Sequence, residues 1–515
     1  MPKPSPLYDE LFKEVLKAPI YDLVKHTPLE YARLSSQDVG HELYFKREDL
    51  QDIFSFKIRG AYNKIKQLNP EEKAAGVICV SAGNHGQGVA LAGRSLGVPV
   101  TVVMPVTTPE IKIQGVRSFG ASIALHGDSY SDAESHCWQL QKQLGATFIH
   151  PFDDPLVIAG QGTTAKEIYS DLPDLDDVFV PVGGGGLLAG MALYLKALRP
   201  DIRIIGVEPQ ESDAMHQSLR HGSVISLGET GTFADGVAVK RVGQLTFDII
   251  RHLVDDWVLV STDEICSAIE YVYLDTRTIL EPAGALSLAG ARRYLRQISN
   301  SDSKRKVVCI NSGANMNFQR MQYVAERILT GDGRESLYGI QLKEKAGSLR
   351  KFCHQVLGQQ SITEFNYRFS GGQKAYIFVG IANQSTVERR KLARSLDEEG
   401  YSWTDLTDND LAKDHIRHMV GGVQSLPSEQ LVSFQFPERP GALMEFLDQM
   451  GREWNISLFH YRSQGSDYGR VLMGLQVPPA EEGNFRSFLE SIQYPYQLES
   501  ENAVIGMFLN SGAAV

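Results

Sequence analysis

Short apolar runs alternate with longer helical stretches between residues 77 and 315. The runs are apolar throughout, a pattern typical of strands that are covered on both faces of a sheet. They comprise residues 77–80, 100–104, 122–125, 178–182, 202–207 and 307–310. Between them, stretches such as 129–145 and 187–198 have the apolar spacing of helices. This alternation predicts an α/β domain built on a doubly wound, mostly parallel sheet.

A different pattern begins after Leu329. Residues 330–336 are polar and rich in glycine, which predicts a linker. Beyond the linker the sequence repeats itself at an offset of 94 residues, which indicates a duplicated unit. The matching pairs are Gly347 and Gly441, Leu349 and Leu443, Phe352 and Phe446, Tyr367 and Tyr461, Arg368 and Arg462, and Gly380 and Gly474.

Each copy of the repeat has the pattern strand, glycine turn, helix, strand, strand, as in a ferredoxin-like unit. The first strands are predicted at 340–342 and 432–436, and the first helices at 348–356 and 442–450. Neither copy carries a nucleophile or a ligand cluster of its own. We therefore predict an α+β module that senses a ligand or mediates assembly.

Length and composition narrow the classes of function. A chain of 515 residues is too long for one core. Its net charge of −11 disfavours nucleic acid or an anionic membrane as partner, and no apolar run reaches the length of about 18 residues that a membrane span needs. The amphipathic, acidic start of the chain and five cysteines without a C-x-x-C pair predict a cytoplasmic protein with reduced, mostly buried thiols. These cysteines are Cys79, Cys137, Cys266, Cys309 and Cys353.

Lys57 is the first candidate for chemistry. It follows Phe54 and Phe56 and opens a helical pattern. Apolar neighbours and the positive end of a helix both disfavour an ammonium, so its pKa is expected to fall. A lysine in such a place is a candidate Schiff-base nucleophile. The alternative is an ordinary solvated lysine, as most lysines are.

A run of four glycines is the second candidate. It follows a predicted strand and opens a predicted helix, where backbone N–H groups and the helix dipole favour a phosphate. The alternative is a dinucleotide fingerprint made of Gly184, Gly186 and Ala189, with Glu208 as the ribose acceptor in a nicotinamide-dependent oxidoreductase. The candidate phosphate-binding residues are Gly183, Gly184, Gly185, Gly186 and Leu187.

The third candidate is the loop after the strand at 77–80. Small residues there offer backbone donors to a carboxylate, and the Asn84 amide can both donate and accept. The alternative is an ordinary turn with an asparagine cap, in which His85 is simply a packed helix residue. The candidate substrate-binding residues are Ser81, Ala82, Gly83, Asn84 and His85.

Taken together, the three candidates favour an enzyme that uses pyridoxal 5'-phosphate (PLP) on an amino acid. Such an enzyme requires a lysine, a carboxylate-binding loop and a phosphate-binding loop. The oxidoreductase alternative leaves Lys57 and the asparagine loop without a role. A non-catalytic amino-acid sensor is a further alternative, and it predicts binding without turnover.

Five motifs stand out together, at residues 55–61, 81–88, 183–187, 281–284 and 311–315, with a sixth segment at 436–443 in the repeat. They resemble the fold-type-II PLP family, and within it the biosynthetic threonine dehydratases. The resemblance covers essentially the whole chain, and the repeat resembles the paired ACT-like regulatory domains of those enzymes. It implies a tryptophan-synthase-β-like catalytic domain at 1–329, the linker at 330–336, and ACT-like domains at 337–410 and 430–515.

The resemblance also implies roles for individual residues. Lys57 would attach the cofactor and later take the α-proton. Phe56 would lie against the cofactor ring, Asn84 would bind its ring hydroxyl, and Ser312 would meet its pyridine nitrogen. The tetraglycine loop would hold the phosphate.

The implied reaction converts L-threonine to 2-oxobutanoate and ammonia, the committed entry to isoleucine. Feedback inhibition by isoleucine, opposition by valine and a homotetramer are implied as well. Serine dehydratase or racemase activity is the alternative within the family. Racemases carry a second serine at the position of Ala82, so racemisation is disfavoured. No bound metal is expected, because Ala214 stands where cation-binding relatives have an acidic residue beside Glu208.

Overall fold

The computed structural model describes most of the chain in two compact units, Met1–Met321 and Gln322–Val515. In the described ranges no helix is long and apolar enough to cross a membrane. These ranges are residues 6–297, 304–331, 333–343, 351–357, 362–367, 374–382, 386–418, 428–437, 446, 449, 454–462, 468–492, 494–499 and 502–508.

The first unit has two sheets where the sequence pattern predicted one. The larger sheet has the strand order β1-β2-β10-β7-β8-β9 and the smaller one β5-β4-β3-β6, and only β1 and β2 pair antiparallel among these strands. The α/β class and the mostly parallel pairing are confirmed. The strands are β1 (Leu29–Tyr31), β2 (Glu42–Lys46), β3 (Val77–Val80), β4 (Val100–Met104), β5 (Ser122–Leu125), β6 (Thr147–Phe148), β7 (Asp177–Pro181), β8 (Arg203–Pro209), β9 (Asp256–Val260) and β10 (Lys306–Ile310).

Helices connect these strands, and short 3₁₀ turns lie at Glu48–Leu50 and Asp235–Val237. The helices are α1 (Pro6–Lys17), α2 (Arg33–Val39), α3 (Lys57–Lys66), α4 (Pro70–Ala75), α5 (Asn84–Leu96), α6 (Glu110–Arg117), α7 (Tyr130–Leu144), α8 (Pro155–Asp171), α9 (Gly186–Leu198), α10 (Ala214–His221), α11 (Gln244–Leu253), α12 (Thr262–Thr276) and α13 (Pro282–Gln297).

Local chemistry explains where predicted elements begin and end. The side chain of Ser129 accepts from the amide of Asp132 to start α7, and Gly145 ends that helix at φ 65°. The predicted strands agree with β3, β4 and β5 and lie within two residues of β7, β8 and β10. The expectation that every strand is covered on both faces is wrong for β5, an edge strand whose residues are half-buried or exposed.

Apolar cores cover both sheets of the unit. One contains Val178 and Val308 of the larger sheet, and another joins Val77 and Val102 of the smaller sheet with α3. A further cluster packs Ile78 and Val80 of β3 against Ala133 of α7. Four of the five cysteines have described side chains, and these are buried and form no disulfide; the side chain of Cys353 lies outside the described residues.

The second unit contains most of helix α14 (Arg320–Gly331), within which the division between the units falls, and two antiparallel sheets. The sheets have the orders β12-β13-β11-β14 and β16-β17-β15-β18. Their strands are β11 (Glu335–Lys343), β12 (Ile362–Tyr367), β13 (Lys374–Ala382), β14 (Ser402–Asp405), β15 (Glu429–Pro437), β16 (Asn455–Arg462), β17 (Tyr468–Gln476) and β18 (Tyr496–Leu498). The helices are a π-helical segment at Cys353–Leu357, α15 (Thr386–Glu398), α16 (Asp410–Asp414), α17 (Glu482–Ser491) and α18 (Ala503–Phe508), with 3₁₀ turns at Ile416–His418 and Pro479–Glu481.

The two sheets preserve the 94-residue offset of the sequence repeat. Both bounds of β11 and β13 recur, 94 residues later, as the bounds of β15 and β17. The register shift at Ile362/Glu364 recurs at Ile456/Leu458. Even one side-chain hydrogen bond is repeated, from Thr363 to Glu335 and from Ser457 to Glu429. The duplicated α+β unit is therefore confirmed at the level of register.

Equivalent positions of the two repeats meet in a shared apolar core. It contains Leu337 with Leu431, and Phe378 with Leu472, each pair being 94 residues apart. The repeats therefore fold as partners, because each supplies apolar surface that the other buries.

The predicted linker at 330–336 is too long. Residues up to Gly331 belong to α14, and Glu335 and Ser336 are buried at the start of β11. The polar, glycine-rich composition of this segment did not indicate a buried strand. Glu335 can be buried there because its carboxylate accepts a hydrogen bond from Thr363. The predicted first ACT-like domain, 337–410, likewise stops inside the described fold, since α16 begins at Asp410. The predicted helices at 348–356 and 442–450 lie largely outside the described residues.

Candidate active site

Two of the three candidate regions, and the motif at 311–315, lie at the carboxyl ends of parallel strands. The asparagine loop follows β3, the tetraglycine loop follows β7, and residues 311–315 follow β10, which pairs with β7. Carboxyl ends of parallel strands are the usual place for ligands in open α/β sheets.

Lys57 is the first residue of α3, and its Nζ lies 3.0 Å from the carbonyl oxygen of Pro151. The Phe56 ring centroid is 5.3 Å from that nitrogen. Burial lowers the pKa of the Lys57 amine to about 8, while the Glu281 carboxylate acts in the opposite direction. The predicted fall in the pKa of Lys57 therefore comes from burial. Phe54 was expected to help bury the amine, but it is itself 55% exposed.

The tetraglycine loop is next to Lys57 through residues 151 and 152. A Cβ on Gly184 would overlap the ring of Phe152, and one on Gly183 would lie 2.9 Å from the Cα of Val237. Gly185 has φ +93° and precedes α9 without a side-chain cap. The first amides of α9 are therefore available to an anion, and the crowded glycines bring the backbone close to it.

This crowding leads to a test. Replacing Gly184 by Ala is expected to lower the free energy of unfolding by about 1–3 kcal/mol and to weaken cofactor binding, because the added methyl group overlaps the Phe152 ring. Gly228→Ala is the matched control, since a Cβ there meets nothing within 4 Å. Urea unfolding and the PLP content of the purified protein measure the two effects. Adding Phe152→Ala to Gly184→Ala should restore part of the loss; no loss in Gly184→Ala would show that the loop is not tightly held.

Asn84 is not a helix cap, so the asparagine-cap part of the ordinary-turn alternative is wrong. Gly83 occupies the N-cap position of α5, and its amide bonds Ser81 Oγ at 3.2 Å. The Asn84 Nδ2 donates instead to Glu281 Oε1 at 2.6 Å, and Asn84 Oδ1 accepts from Asn315 Nδ2 at 2.7 Å. The asparagine side chain is thus bound to the loop after β10 and to the start of α13.

His85 is a packed residue. Its Nε2 lies 2.8 Å from the carbonyl oxygen of Ile149, and the ring is buried. Burial, followed by the charge of Lys57, lowers its pKa to about 3, so the ring is neutral. The imidazole is directed at backbone, and only the main chain of His85 remains for a carboxylate.

Ser312 lies beside the start of α3. The amide of Phe56 donates to the Ser312 carbonyl at 3.2 Å, and the Ser312 hydroxyl donates to the carbonyl of Ala283 at 3.3 Å. Ser55 pairs with Gly313 in an isolated bridge. The structure therefore brings Phe56, Lys57, Asn84 and Ser312 together from three distant segments.

Five charged or polar residues around this site were not predicted from the sequence to have a role. Glu281 and Asn315 belong to the motifs at 281–284 and 311–315, which could have indicated them. The others form a cluster in which Asp235 pairs with Lys112 and, at 3.2 Å, with Arg320, and no local pattern pointed to it. Lys112 and Arg320 hold the pKa of Asp235 well below its ordinary value although burial opposes them.

Glu208 has a local structural role. Its carboxylate accepts from the amides of Met215 and His216 at 2.9 Å each and from Trp257 Nε1 at 3.1 Å. Burial raises its pKa to about 8. Because these donors already engage both oxygens, the dinucleotide alternative loses its ribose acceptor.

Comparison with known proteins shows the family of the chain. Residues 20–313 match the family described as pyridoxal-phosphate dependent enzyme, and residues 326–416 and 420–509 each match the C-terminal regulatory domain of threonine dehydratase. A relative from Burkholderia multivorans, named L-threonine dehydratase biosynthetic IlvA, is 47% identical over 97% of this chain and 99% of its own. The chain belongs to the biosynthetic threonine dehydratase family. The same name is given to an Escherichia coli relative that is 45% identical over 97% of each chain.

Solved structures similar to this chain agree with the fold-type-II class. The processed threonine deaminase isoform 2 of Solanum lycopersicum has a TM-score of 0.62 at 45% identity, covering 63% of this chain and 94% of its own. Maize serine racemase has a TM-score of 0.58 at 34% identity, covering 63% and 98%. PLP is the cofactor of this family, and its enzymes are lyases with a regulatory C-terminal region. The crowded glycine loop, the uncapped start of α9 and the nearby Lys57 amine fit that cofactor.

Proposed function

We propose that this chain removes water and ammonia from L-threonine to form 2-oxobutanoate, the first committed step of isoleucine biosynthesis. The observation that carries the proposal is the position of the Lys57 amine. It bonds the carbonyl of Pro151, and the next residue, Phe152, packs against Gly184 of the tetraglycine loop. We assign cofactor attachment to Lys57, phosphate binding to Gly183–Leu187, and contacts with the cofactor ring to Phe56, Asn84 and Ser312.

Lys57 acts as the general base in this proposal. When bound, PLP supplies an electron sink for negative charge at the substrate α-carbon. A pKa of about 8 leaves part of the Lys57 amine neutral near pH 7, which suits it for attack and for proton transfer. The carbonyl of Pro151 accepts a hydrogen bond from Nζ and holds the amine at the end of its flexible side chain.

The loop from Ser81 to His85 binds the substrate carboxylate. Its backbone amides at the start of α5 favour an anion, and the neutral His85 ring is fixed on Ile149 away from it. Ser312 would offer its hydroxyl to the cofactor ring nitrogen by turning it away from the Ala283 carbonyl, to which it donates at 3.3 Å. A hydroxyl does not keep that nitrogen protonated as a carboxylate does, which favours rapid loss of the β-hydroxyl over transamination.

The alternatives make different products. Ala82 has no proton to give, so the chain lacks the donor that a racemase of this family uses on the opposite face of the substrate. A non-catalytic sensor would bind threonine without forming a keto acid. We propose threonine and not serine as the preferred substrate because the relatives are named threonine dehydratases. The two substrates differ by one methyl group, which in a pocket is worth about 1–3 kcal/mol.

One assay separates these functions. Purified holoenzyme is given L-threonine or L-serine, and 2-oxobutanoate, pyruvate and D-serine are measured. We expect 2-oxobutanoate in excess, less pyruvate and no D-serine. A preference for serine would contradict threonine as the preferred substrate. Formation of D-serine would contradict elimination without racemisation, and the absence of any keto acid would contradict an enzymatic function.

Regulation and assembly extend the proposal. We propose that the repeat unit binds isoleucine as inhibitor and valine as its opponent, in a homotetramer located in the cytoplasm. The support is the duplicated unit, whose sheets match in register and share one core. An allosteric effector acts by binding one global state of the enzyme more tightly than another, typically by about 1–3 kcal/mol.

A kinetic experiment on the full chain tests the regulatory role. With isoleucine, the dependence of rate on threonine should become more sigmoidal and its midpoint should rise about 5- to 150-fold, the range that such coupling energies give. Valine should reverse the shift, and light scattering should report four chains per particle. Unchanged kinetics at millimolar isoleucine would contradict the role, and a monomer would leave sigmoidal behaviour without a cause.

A further inference from the structure

Glu281 is a buried carboxylate at the site that the proposed mechanism does not use. It lies directly before α13, and its amide donates to the Gly313 carbonyl at 3.2 Å. Its side chain is 6% exposed and accepts from Asn84 Nδ2. A Cβ on Gly313 would overlap Glu281 Oε1, so the glycine of that loop leaves space for the carboxylate to reach Asn84.

The Asn84 amide is held at both of its polar atoms. Glu281 accepts from Nδ2, and Asn315 donates to Oδ1 while it also donates to the Ile53 carbonyl at 2.8 Å. Turning the amide over would place its NH₂ against the NH₂ of Asn315 and its oxygen against the Glu281 carboxyl. The network therefore selects one orientation, in which the second Nδ2 hydrogen is left to donate elsewhere.

We propose that Glu281 is a positioning residue that, through Asn84, keeps an N–H donor directed at the ring oxygen of the cofactor. The inference rests on the proposed function, because the contact between Asn84 and the cofactor is part of it. Glu281 acts through Asn84 and touches neither substrate nor cofactor. Its anionic form holds the Asn84 donor more firmly than its neutral form, because charge-assisted hydrogen bonds are the stronger kind.

Charged groups on several elements face Glu281. Asp235 of the 3₁₀ turn disfavours its charge, Lys112 of α6 and Arg320 of α14 favour it, and Lys57 of α3 interacts with it as well. Burial is the largest influence and raises the pKa of Glu281 to about 7. The carboxyl is therefore neutral below that pH and charged above it, so the hold on Asn84 strengthens as pH rises through 7.

The test compares Glu281→Gln with the wild-type holoenzyme. Glutamine keeps an oxygen that can accept from Asn84 but cannot ionise. We expect the wild type to change its visible cofactor absorbance around pH 7, following Glu281, and the variant to bind PLP without that change. The variant should also lose about tenfold in kcat with little change in KM. Glu71→Gln, an exposed glutamate of α4, removes the same charge far from this network and should match the wild type.

Asn315→Ala is the second variant, and it leaves the carboxylate in place. It frees the Asn84 oxygen, so it too should lower kcat and move the absorbance change to a different pH. If Glu281→Gln folds without PLP, Asn315→Ala decides alone, and unchanged kinetics there overturn the inference. An unchanged pH profile in Glu281→Gln also overturns it. A wild type that binds no PLP or forms no keto acid would instead refute the proposed function.

Discussion

Replacing Lys57 by Ala is expected to lower the rate of 2-oxobutanoate formation by at least about a thousandfold. A positioned general base alone accounts for about 10²- to 10⁴-fold, and Lys57 also supplies the nucleophile that attaches the cofactor. Borohydride treatment of the wild type should fix PLP to the peptide containing Lys57, and the variant should not be labelled.

Lys66→Ala is the matched control for this variant. Lys66 ends the same helix and contacts Asp22 at the surface, so its loss should change the rate less than twofold. Label on a peptide that carries Lys46 or Lys64 instead would contradict the assignment. So would a Lys57→Ala variant that retains more than a few per cent of the activity.

Replacing Arg59 by Ala is expected to lower the free energy of unfolding by about 3–5 kcal/mol, because two buried carboxylates lose their shared cation. Arg59 is fully buried two residues after Lys57. Its guanidinium donates to both oxygens of Glu48 at 2.7 Å and to both oxygens of Glu167 at 2.6 and 2.8 Å. The buried Lys46 amine, 2.6 Å from Glu167, completes a cluster of two cations and two anions.

Urea unfolding of the holoenzyme measures this loss. Arg220→Ala, at an exposed position of α10, is the control and should change stability by less than about 0.5 kcal/mol. Because α3 begins at Lys57, the Arg59 variant should also retain less PLP. A loss below about 1 kcal/mol would show that the two carboxylates find other partners.

The same cluster predicts how stability depends on pH. Burial acts to raise the pKa of Glu167, but Arg59 and Lys46 outweigh it and lower the pKa below its ordinary value of 4.5. A carboxyl with a depressed pKa stabilises the fold above its unfolded-state pKa, and this contribution is lost as pH falls through the folded-state value. The free energy of unfolding should therefore decrease below about pH 4.5 in the wild type, and less so in Arg59→Ala.

The sequence by itself determined the elements of the fold and the main candidates for the site. Strand β4 has the predicted bounds and helix α7 lies within one residue of them, because they depend on apolar spacing and on neighbouring caps such as Ser129 and Gly145. The repeat offset of 94 residues was correct to the level of strand register, since duplicated segments retain the same pairing. Lys57, Asn84 and the glycine loop could be chosen because their residue types are typical of PLP chemistry.

Only the tertiary structure decided which of these groups touch, and what else surrounds them. Apolar runs report that a strand is buried but not which strand it pairs with, so the division into two sheets could not be read from them. Asn84 is 197 residues from Glu281 and 231 from Asn315, and no local spacing encodes such contacts. Burial created by the whole fold moves the pKa of Glu281 to about 7 and that of Lys57 to about 8. Desolvation depends on every element that covers a group, and for that reason it belongs to the folded chain and not to any segment of the sequence.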